Sequence, residues 1–268
     1  LGKKLAKRQR EAVICALENS LMVLTGGPGT GKTTIVSFII ECYEQIGKKV
    51  TLCAPTGRAA KRLAESSGRK ASTIHRLLEV GYTDENEQEN FYNRDESNPL
   101  DTDVLIVDEM SMVDIFLIKA LFCAIKPGTS VIMVGDRDQL PSVGPGKVLW
   151  DFIESEKVST VTLDEIFRQS SESSIIINAH RVNQGKPLEL VKGADDFFFM
   201  ARNTHSEAAD LIVELISSRL PQYFGVKPQD IQILSPVKKS ESGVNELNRR
   251  VQEAVNPPAK EKSEFRHS

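Results

Sequence analysis

Through the first two thirds of the chain, short apolar runs rich in β-branched residues alternate with segments whose apolar positions recur every three or four residues. Runs 21–25, 50–54, 104–108, 130–135 and 159–163 have the length and composition of strands, whereas 32–46, 57–66 and 113–124 carry the helical period. Such alternation predicts an α/β fold, a parallel sheet of βαβ units flanked by helices. Three of the strands run directly into polar stretches: the glycine-rich loop after 25, Asp108 Glu109, and Gly135 Asp136. Ligands of open parallel sheets sit at the C-terminal strand ends, so the candidate chemistry is expected on one edge.

The pattern changes twice. Residues 81–100 are polar, acidic, rich in Asn and poor in aliphatic positions, which predicts an excursion from the domain: a small hairpin around Phe91 Tyr92, or a loop. After residue 168 the strand rhythm stops, and Asn183 Gln184 Gly185 Lys186 Pro187 reads as a turn. Beyond it lie an apolar run at 197–200, a helical period at 207–220, a strand at 231–234 and a helix at 243–255. The expected organisation is therefore a first lobe over 1–168, with the excursion inserted at about 81–100, and the start of a second, incomplete lobe over 169–268.

Composition narrows the class without naming a chemistry. In 268 residues no apolar stretch nears the roughly 18 needed for a membrane helix, and the basic start has no apolar core of a secretory signal behind it. A cytoplasmic protein is expected. Cys15, Cys42, Cys53 and Cys123 stand apart, without a CxxC pair or nearby His cluster, which favours reduced thiols over zinc. The net charge of −3 gives no sign of a nucleic-acid partner, but positive charge clusters at 3–10, 58–70 and 238–239. A basic cluster alone is more often a solvated face than a binding track, so it needs support from motifs.

That support begins at Gly26 Gly27 Pro28 Gly29 Thr30 Gly31 Lys32 Thr33 Thr34, which fits the P-loop pattern between a strand and a helix. Glycines let successive N–H groups turn inward, and the helix that follows places its positive end at the same spot. Gly27, Gly29, Thr30, Gly31, Lys32, Thr33 and Thr34 are the candidate nucleotide-binding residues. Lys32 would reach the β- and γ-phosphates of ATP, and the Thr33 hydroxyl would hold Mg²⁺. An ordinary glycine-rich turn would not require strand, spacing, Lys and Thr to agree. The run Val104 to Val107 ends in Asp108 and Glu109; Asp108 would complete the Mg²⁺ shell, and Glu109 would orient and polarise the attacking water. Gln139, in the loop after the strand at 130–135, can hydrogen-bond a γ-phosphate oxygen and lose that partner on hydrolysis, though alone it would pass as a surface-turn glutamine.

The order of these motifs resembles the superfamily 1 DNA helicases, in the 5′ to 3′ branch typified by RecD and TraA, which includes the exodeoxyribonuclease V alpha subunit. Lys7 Arg8 Gln9 is similar to that family's Q motif. Further matching stretches are 26–34, Ala54 Pro55 Thr56 Gly57 Arg58, Thr73 Ile74 His75, Asp108 to Asp114, Gly135 to Pro141, and Leu163 Asp164 Glu165 Ile166 Phe167 Arg168 Gln169. The match is dense over residues 5–185 and thin at 234–248.

The resemblance implies a RecA-like ATPase lobe that moves 5′ to 3′ on single-stranded DNA in repair, recombination or conjugation. Gln9 would read the adenine edge, and Arg168 would be the arginine finger acting across the cleft. Thr56, Arg58, Thr73 and His75 would line the single-strand track. Outside the family context, Arg168 would be taken for a surface arginine paired with Asp164 or Glu165, and His75 for a structural histidine. The excursion at 81–100 falls where the family carries a pin that splits duplex junctions, with Tyr82, Phe91 or Tyr92 against the terminal base pair. Nuclease or relaxase subunits are the implied partners. The family has further segments after Pro258 and before the Q motif, so the chain is expected to be a core fragment unable to unwind DNA alone. A competing reading is an ATP-binding module that clamps DNA within a nuclease or relaxase complex without translocating. A P-loop small-molecule kinase is disfavoured, because nothing after Arg168 has the look of a lid or an acceptor site.

Overall fold

The computed structural model describes residues 5–81, 91–164, 173–190 and 196–257. In chain order the elements are α1 (Lys7–Glu18), β1 (Leu21–Gly26), α2 (Lys32–Gln45), β2 (Val50–Ala54), α3 (Gly57–Ser67), β3 (Ala71–Thr73), α4 (Ile74–Leu77), β4 (Val80–Gly81) and β5 (Phe91–Tyr92). There follow β6 (Val104–Val107), a 3₁₀ turn at Met110–Met112, α5 (Ile115–Cys123), β7 (Ser130–Gly135), α6 (Val148–Glu154), β8 (Ser159–Leu163) and α7 (Ser174–Asn183). Last come α8 (His205–Glu214), a π-helical turn at Leu215–Arg219, α9 (Leu220–Phe224), a 3₁₀ turn at Pro228–Asp230 and α10 (Val244–Val255).

Six strands form one sheet in the order β3-β2-β6-β7-β1-β8, and every neighbouring pair is parallel. The alternation of side chains along each strand explains why both faces must be covered. Met22, Leu24, Val104, Ile106, Ile132 and Val134 pack on one side with Ala12 of α1 and Ile35 and Ile39 of α2. Val23, Leu105, Val107, Val131 and Met133 point the other way, against Leu117 and Leu121 of α5 and Leu149 of α6. Strands buried on both faces read as unbroken apolar runs, which is how they were recognisable in the sequence. The strand order also fixes the site. The ends of β6, β7 and β1 are consecutive, so at roughly 4.8 Å per strand the loops after β1 and β6 lie about 10 Å apart with the β7 loop between them.

The excursion forms a hairpin stem in which β4 and β5 pair antiparallel, Val80 opposite Tyr92 and Gly81 opposite Phe91. An ion pair of Arg94 with Glu79 at 2.7 Å and the Arg94 N–H bond to the Leu78 carbonyl tie its base to α4. Tyr92 is half-buried against the cluster containing Ile74 and Leu78, so this aromatic ring anchors the stem. Tyr82 lies outside the described residues.

Contacts divide the chain into two compact units, Leu1–Phe197 and Phe198–Ser268, with α7 in the first. In the second, α8 and α10 are joined by Arg250, which bridges Asp210 at 2.8 Å and Glu246 at 2.8 Å. The strand expected at 231–234 does not form: these residues have no ladder partner among the described residues, and Leu234 is left exposed. An apolar run becomes a strand only when a neighbouring strand pairs with it in a ladder, and among the described residues no such ladder forms here. Of the cysteines only Cys53 is fully buried, and all four are free thiols. Burial pushes the Cys53 thiol far above its ordinary value, which keeps it protonated and inert. Among the described residues no helix is long and apolar enough to cross a membrane.

Candidate active site

The loop between β1 and α2 is shaped by glycine at its tightest points. Gly29 and Gly31 have φ of +76° and +85°, values in the left-handed region that a side chain resists, and Gly31 is the residue from which α2 starts. Gly26 faces Leu163 on the neighbouring strand, where a Cβ would meet that residue's carbonyl oxygen at 2.6 Å. The loop is braced from within. Thr30 Oγ1 donates to the Gly27 carbonyl at 2.8 Å, and Lys32 Nζ donates to the carbonyls of Gly27, at 3.0 Å, and of Gly26. Thr30 is buried, Lys32 and Thr34 are half-buried, and Thr33 is exposed at the start of α2.

Two strands away, β6 delivers Asp108 and Glu109. The Glu109 N–H donates to Asp108 Oδ1 at 2.9 Å, and Glu109 itself has φ +54° and ψ +42°, an uncommon conformation for a residue with a Cβ. Burial raises the pKa of both carboxyl groups; for Glu109 the adjacent Asp108 charge adds to the rise. Lys32 and Arg62 oppose the shift at both residues. Burial lowers the Lys32 pKa, while Asp136, Glu109 and Asp108, in that order, pull it back. The phosphate-loop lysine and three carboxylates thus share one field.

Asp136, at the end of the intervening strand, was seen in the sequence only as part of a motif. It is buried, 2% exposed, and organises its own loop: Oδ1 accepts the Asp138 N–H at 3.0 Å, and its carbonyl accepts the Gln139 N–H at 3.2 Å. The Arg137 N–H donates to Thr25 Oγ1 at 3.2 Å, tying this loop to the strand that carries the phosphate loop. Gln139 is exposed, its amide at a long 3.5 Å from Asp136 Oδ2. Arg62 was also missed, because it stood in a basic cluster indistinguishable from a solvated face; only the fold reveals its influence on Asp108 and Glu109.

Thr56 follows the end of β2 and Thr73 is the last residue of β3, adjacent strands whose ends lie on the same edge of the sheet. Both are helix caps: Thr56 Oγ1 accepts the Ala59 N–H and Thr73 Oγ1 the Arg76 N–H, each at 3.2 Å. Arg58 and His75 are exposed in the first turns of those helices. Gln9 is buried in α1, where Oε1 accepts the Ala6 N–H at 3.1 Å and closes the helix start. Arg168 lies outside the described residues.

The donor set fits a nucleotide with a hard cation. Among the described residues no group of three or more His, Cys, Asp or Glu side chains is arranged to hold a metal ion by itself. A hydroxyl and a carboxylate pair beside a phosphate cradle suit Mg²⁺, which takes few protein ligands and shares the phosphates. A parallel sheet with a glycine loop and an acidic pair on one edge defines the class: a RecA-like P-loop nucleotide-binding domain. The AAA domain family model matches residues 9–145, and the chain belongs to that family.

Its relatives agree with the resemblance read from the motifs. The chain is 35% identical over 255 residues to the ATP-dependent RecD2 DNA helicase of Deinococcus radiodurans, covering 95% of this chain and 33% of that protein. It is 38% identical over 192 residues to the RecBCD enzyme subunit RecD of Mycobacterium tuberculosis, covering 63% of this chain and 32% of the subunit. The chain therefore spans about a third of the length of these relatives. Among solved structures it shares the fold of the Pif1 helicase from Candida albicans, with a TM-score of 0.52 at 24% identity, over 86% of this chain and 56% of that one.

Proposed function

We propose that this chain is the ATPase core of a cytoplasmic DNA helicase that hydrolyses ATP to move 5′ to 3′ along single-stranded DNA, in repair, recombination or conjugation. The observation that carries the reading is the convergence of Lys32, Asp108, Glu109 and Asp136 in one electrostatic field at the C-terminal edge, with Thr56, Arg58, Thr73 and His75 on the same edge beside it. The relatives described as helicases add weight to it.

In this reading Lys32 leaves the loop carbonyls for the β- and γ-phosphates, and the N–H groups of Gly27 and of 29–34 hold the rest of the chain of phosphates. Thr33 and Asp108 would hold Mg²⁺, which supplies charge neutralisation between the phosphates when bound. Glu109 orients the attacking water and accepts its proton; a burial-raised pKa suits a group that must take up a proton at neutral pH. Gln139 senses the γ-phosphate, Arg168 stabilises the charge that develops on it, and Gln9 reads the adenine. Thr56, Arg58, Thr73 and His75 grip the single strand beside this site. The excursion at 81–100 is the wedge at duplex junctions. The ATPase lobe covers the first compact unit, α7 included, the residues after it begin a second lobe, and nuclease or relaxase subunits are the partners.

The test is ATP hydrolysis by this chain with and without a single-stranded oligonucleotide, at low salt so that phosphate contacts survive. DNA-stimulated turnover that Lys32→Ala abolishes is the expected result. ATP binding with no stimulated turnover would overturn the motor reading in favour of an ATP-dependent clamp.

A further inference from the structure

One polar atom beside the phosphate loop has no role in the scheme above. His180 lies on α7, and its Nε2 is buried with no hydrogen-bond partner among the described residues. The ring sits against Gly27: a Cβ built on that glycine would meet His180 Cε1 at 2.9 Å, with Nε2 and Nδ1 at 3.6 and 3.7 Å. The imidazole edge therefore occupies the space that a side chain at 27 would need, and the glycine there serves the histidine as well as the backbone turn. Buried nitrogens in folded proteins nearly always find a partner, and one left over at a binding loop points to a ligand atom.

Gly27 also marks which end of the phosphate chain this nitrogen would meet. Its carbonyl accepts both Thr30 Oγ1 at 2.8 Å and Lys32 Nζ at 3.0 Å. A P-loop lysine serves the β- and γ-phosphates, so the carbonyls on which its ammonium now rests lie at that end of the site. His180 approaches the same glycine from α7. An imidazole with its proton on Nε2 is a donor, and phosphate oxygens are strong acceptors.

We propose that His180 donates from Nε2 to the terminal phosphate of a nucleoside triphosphate held by the loop, and loses that contact when only the diphosphate remains. The inference rests on the nucleotide-site reading and deepens it. It gives α7, the helix that follows Arg168 in the sequence, a direct means of distinguishing triphosphate from diphosphate.

The experiment is equilibrium binding of fluorescent ADP and of a fluorescent, slowly hydrolysed ATP analogue, with Mg²⁺, to this chain. His180→Phe and His180→Leu keep apolar bulk against Gly27 but remove the donor, and His180→Gln returns an amide N–H at similar reach. Both donor-less variants should weaken the ATP analogue about tenfold or more, as for a lost hydrogen bond to a charged group, and change ADP less than twofold. His180→Gln should recover most of the loss. Equal weakening of both nucleotides would make His180 a mere support of the loop, and no weakening of either would remove it from the site; both results overturn the proposal. Lys32→Ala is measured alongside. If it leaves both affinities intact, the nucleotide-site reading fails, and that failure is distinct from a failure of the histidine.

Discussion

Gly26 offers the sharpest test of how the sheet constrains the phosphate loop. It is the last residue of β1 and pairs in register with Leu163 of β8. A Cβ there would meet the Leu163 carbonyl oxygen at 2.6 Å, Thr30 Oγ1 at 2.8 Å and Leu163 Cβ at 3.0 Å, where ordinary contacts begin at 3.4 Å. Two backbones joined by a parallel ladder cannot part by most of an ångström without losing bonds, so Gly26→Ala should cost about 1–3 kcal/mol, the usual penalty of overpacking. In a domain of this size each kcal/mol moves Tm by about 2–4 °C, which gives a fall of about 2–12 °C. The same displacement would move the Gly26 carbonyl, which accepts Lys32 Nζ, and nucleotide affinity should drop with it. Gly57→Ala is the matched control. It stands in the first turn of α3, a Cβ there meets nothing within 4 Å, and its φ is not positive. Alanine should therefore be neutral or stabilising by up to about 1 kcal/mol. Thermal unfolding followed by circular dichroism, with urea titrations to check that the m-value is unchanged, reads both variants. A Gly26→Ala protein melting within 1 °C of the parent, or a Gly57→Ala protein falling as far as Gly26→Ala, would refute the reasoning.

Two further expectations concern charge and DNA. Asp108 holds its proton more tightly folded than unfolded, so its contribution to stability is fully present below the unfolded value of 3.8 and is lost as pH rises through the raised folded value. The melting-temperature advantage of Asp108→Asn over the parent should thus widen from weakly acid pH towards neutrality; a gap that narrows or stays flat would contradict burial as the cause. For the proposed track, His75→Ala should weaken single-strand binding by about 1–3 kcal/mol, a stacking contact, while leaving ATP affinity unchanged. Thr56→Ser keeps the helix cap and tests the methyl group alone. Parallel loss of DNA and ATP binding in the His75 variant would expose a structural role.

The sheet was legible because its strands are buried on both faces and therefore written as continuous apolar runs; β2, β7 and β8 begin and end where the pattern placed them. The three-residue β3 and the helix α6 were not, since a short edge strand and a seven-residue helix carry too few periods to stand out. The strand at 231–234 failed for the converse reason: local composition favoured it, and a strand needs a neighbour that composition cannot provide. At the site, Lys32, Thr33, Asp108 and Glu109 could be named from spacing because a glycine loop and a strand-end acid pair are local signatures. Asp136 gains its weight from following the strand that lies between two others, and Arg62 from a helix folding back towards them. Neither fact has a local signature.

The sequence by itself determined the glycine loop, the strand ends that hold the acids, and the parallel architecture that such alternation demands, because each depends on residues within a few positions of one another. Only the tertiary structure decided that the loops after β1, β6 and β7 are spatial neighbours, that Thr56 and Thr73 spend their hydroxyls capping helices, and that His180 reaches the loop at Gly27 from about 150 residues away in the chain. Strand order is set by which apolar faces fit together across the whole sheet. That fit is a property of the packed core and is written in no single segment.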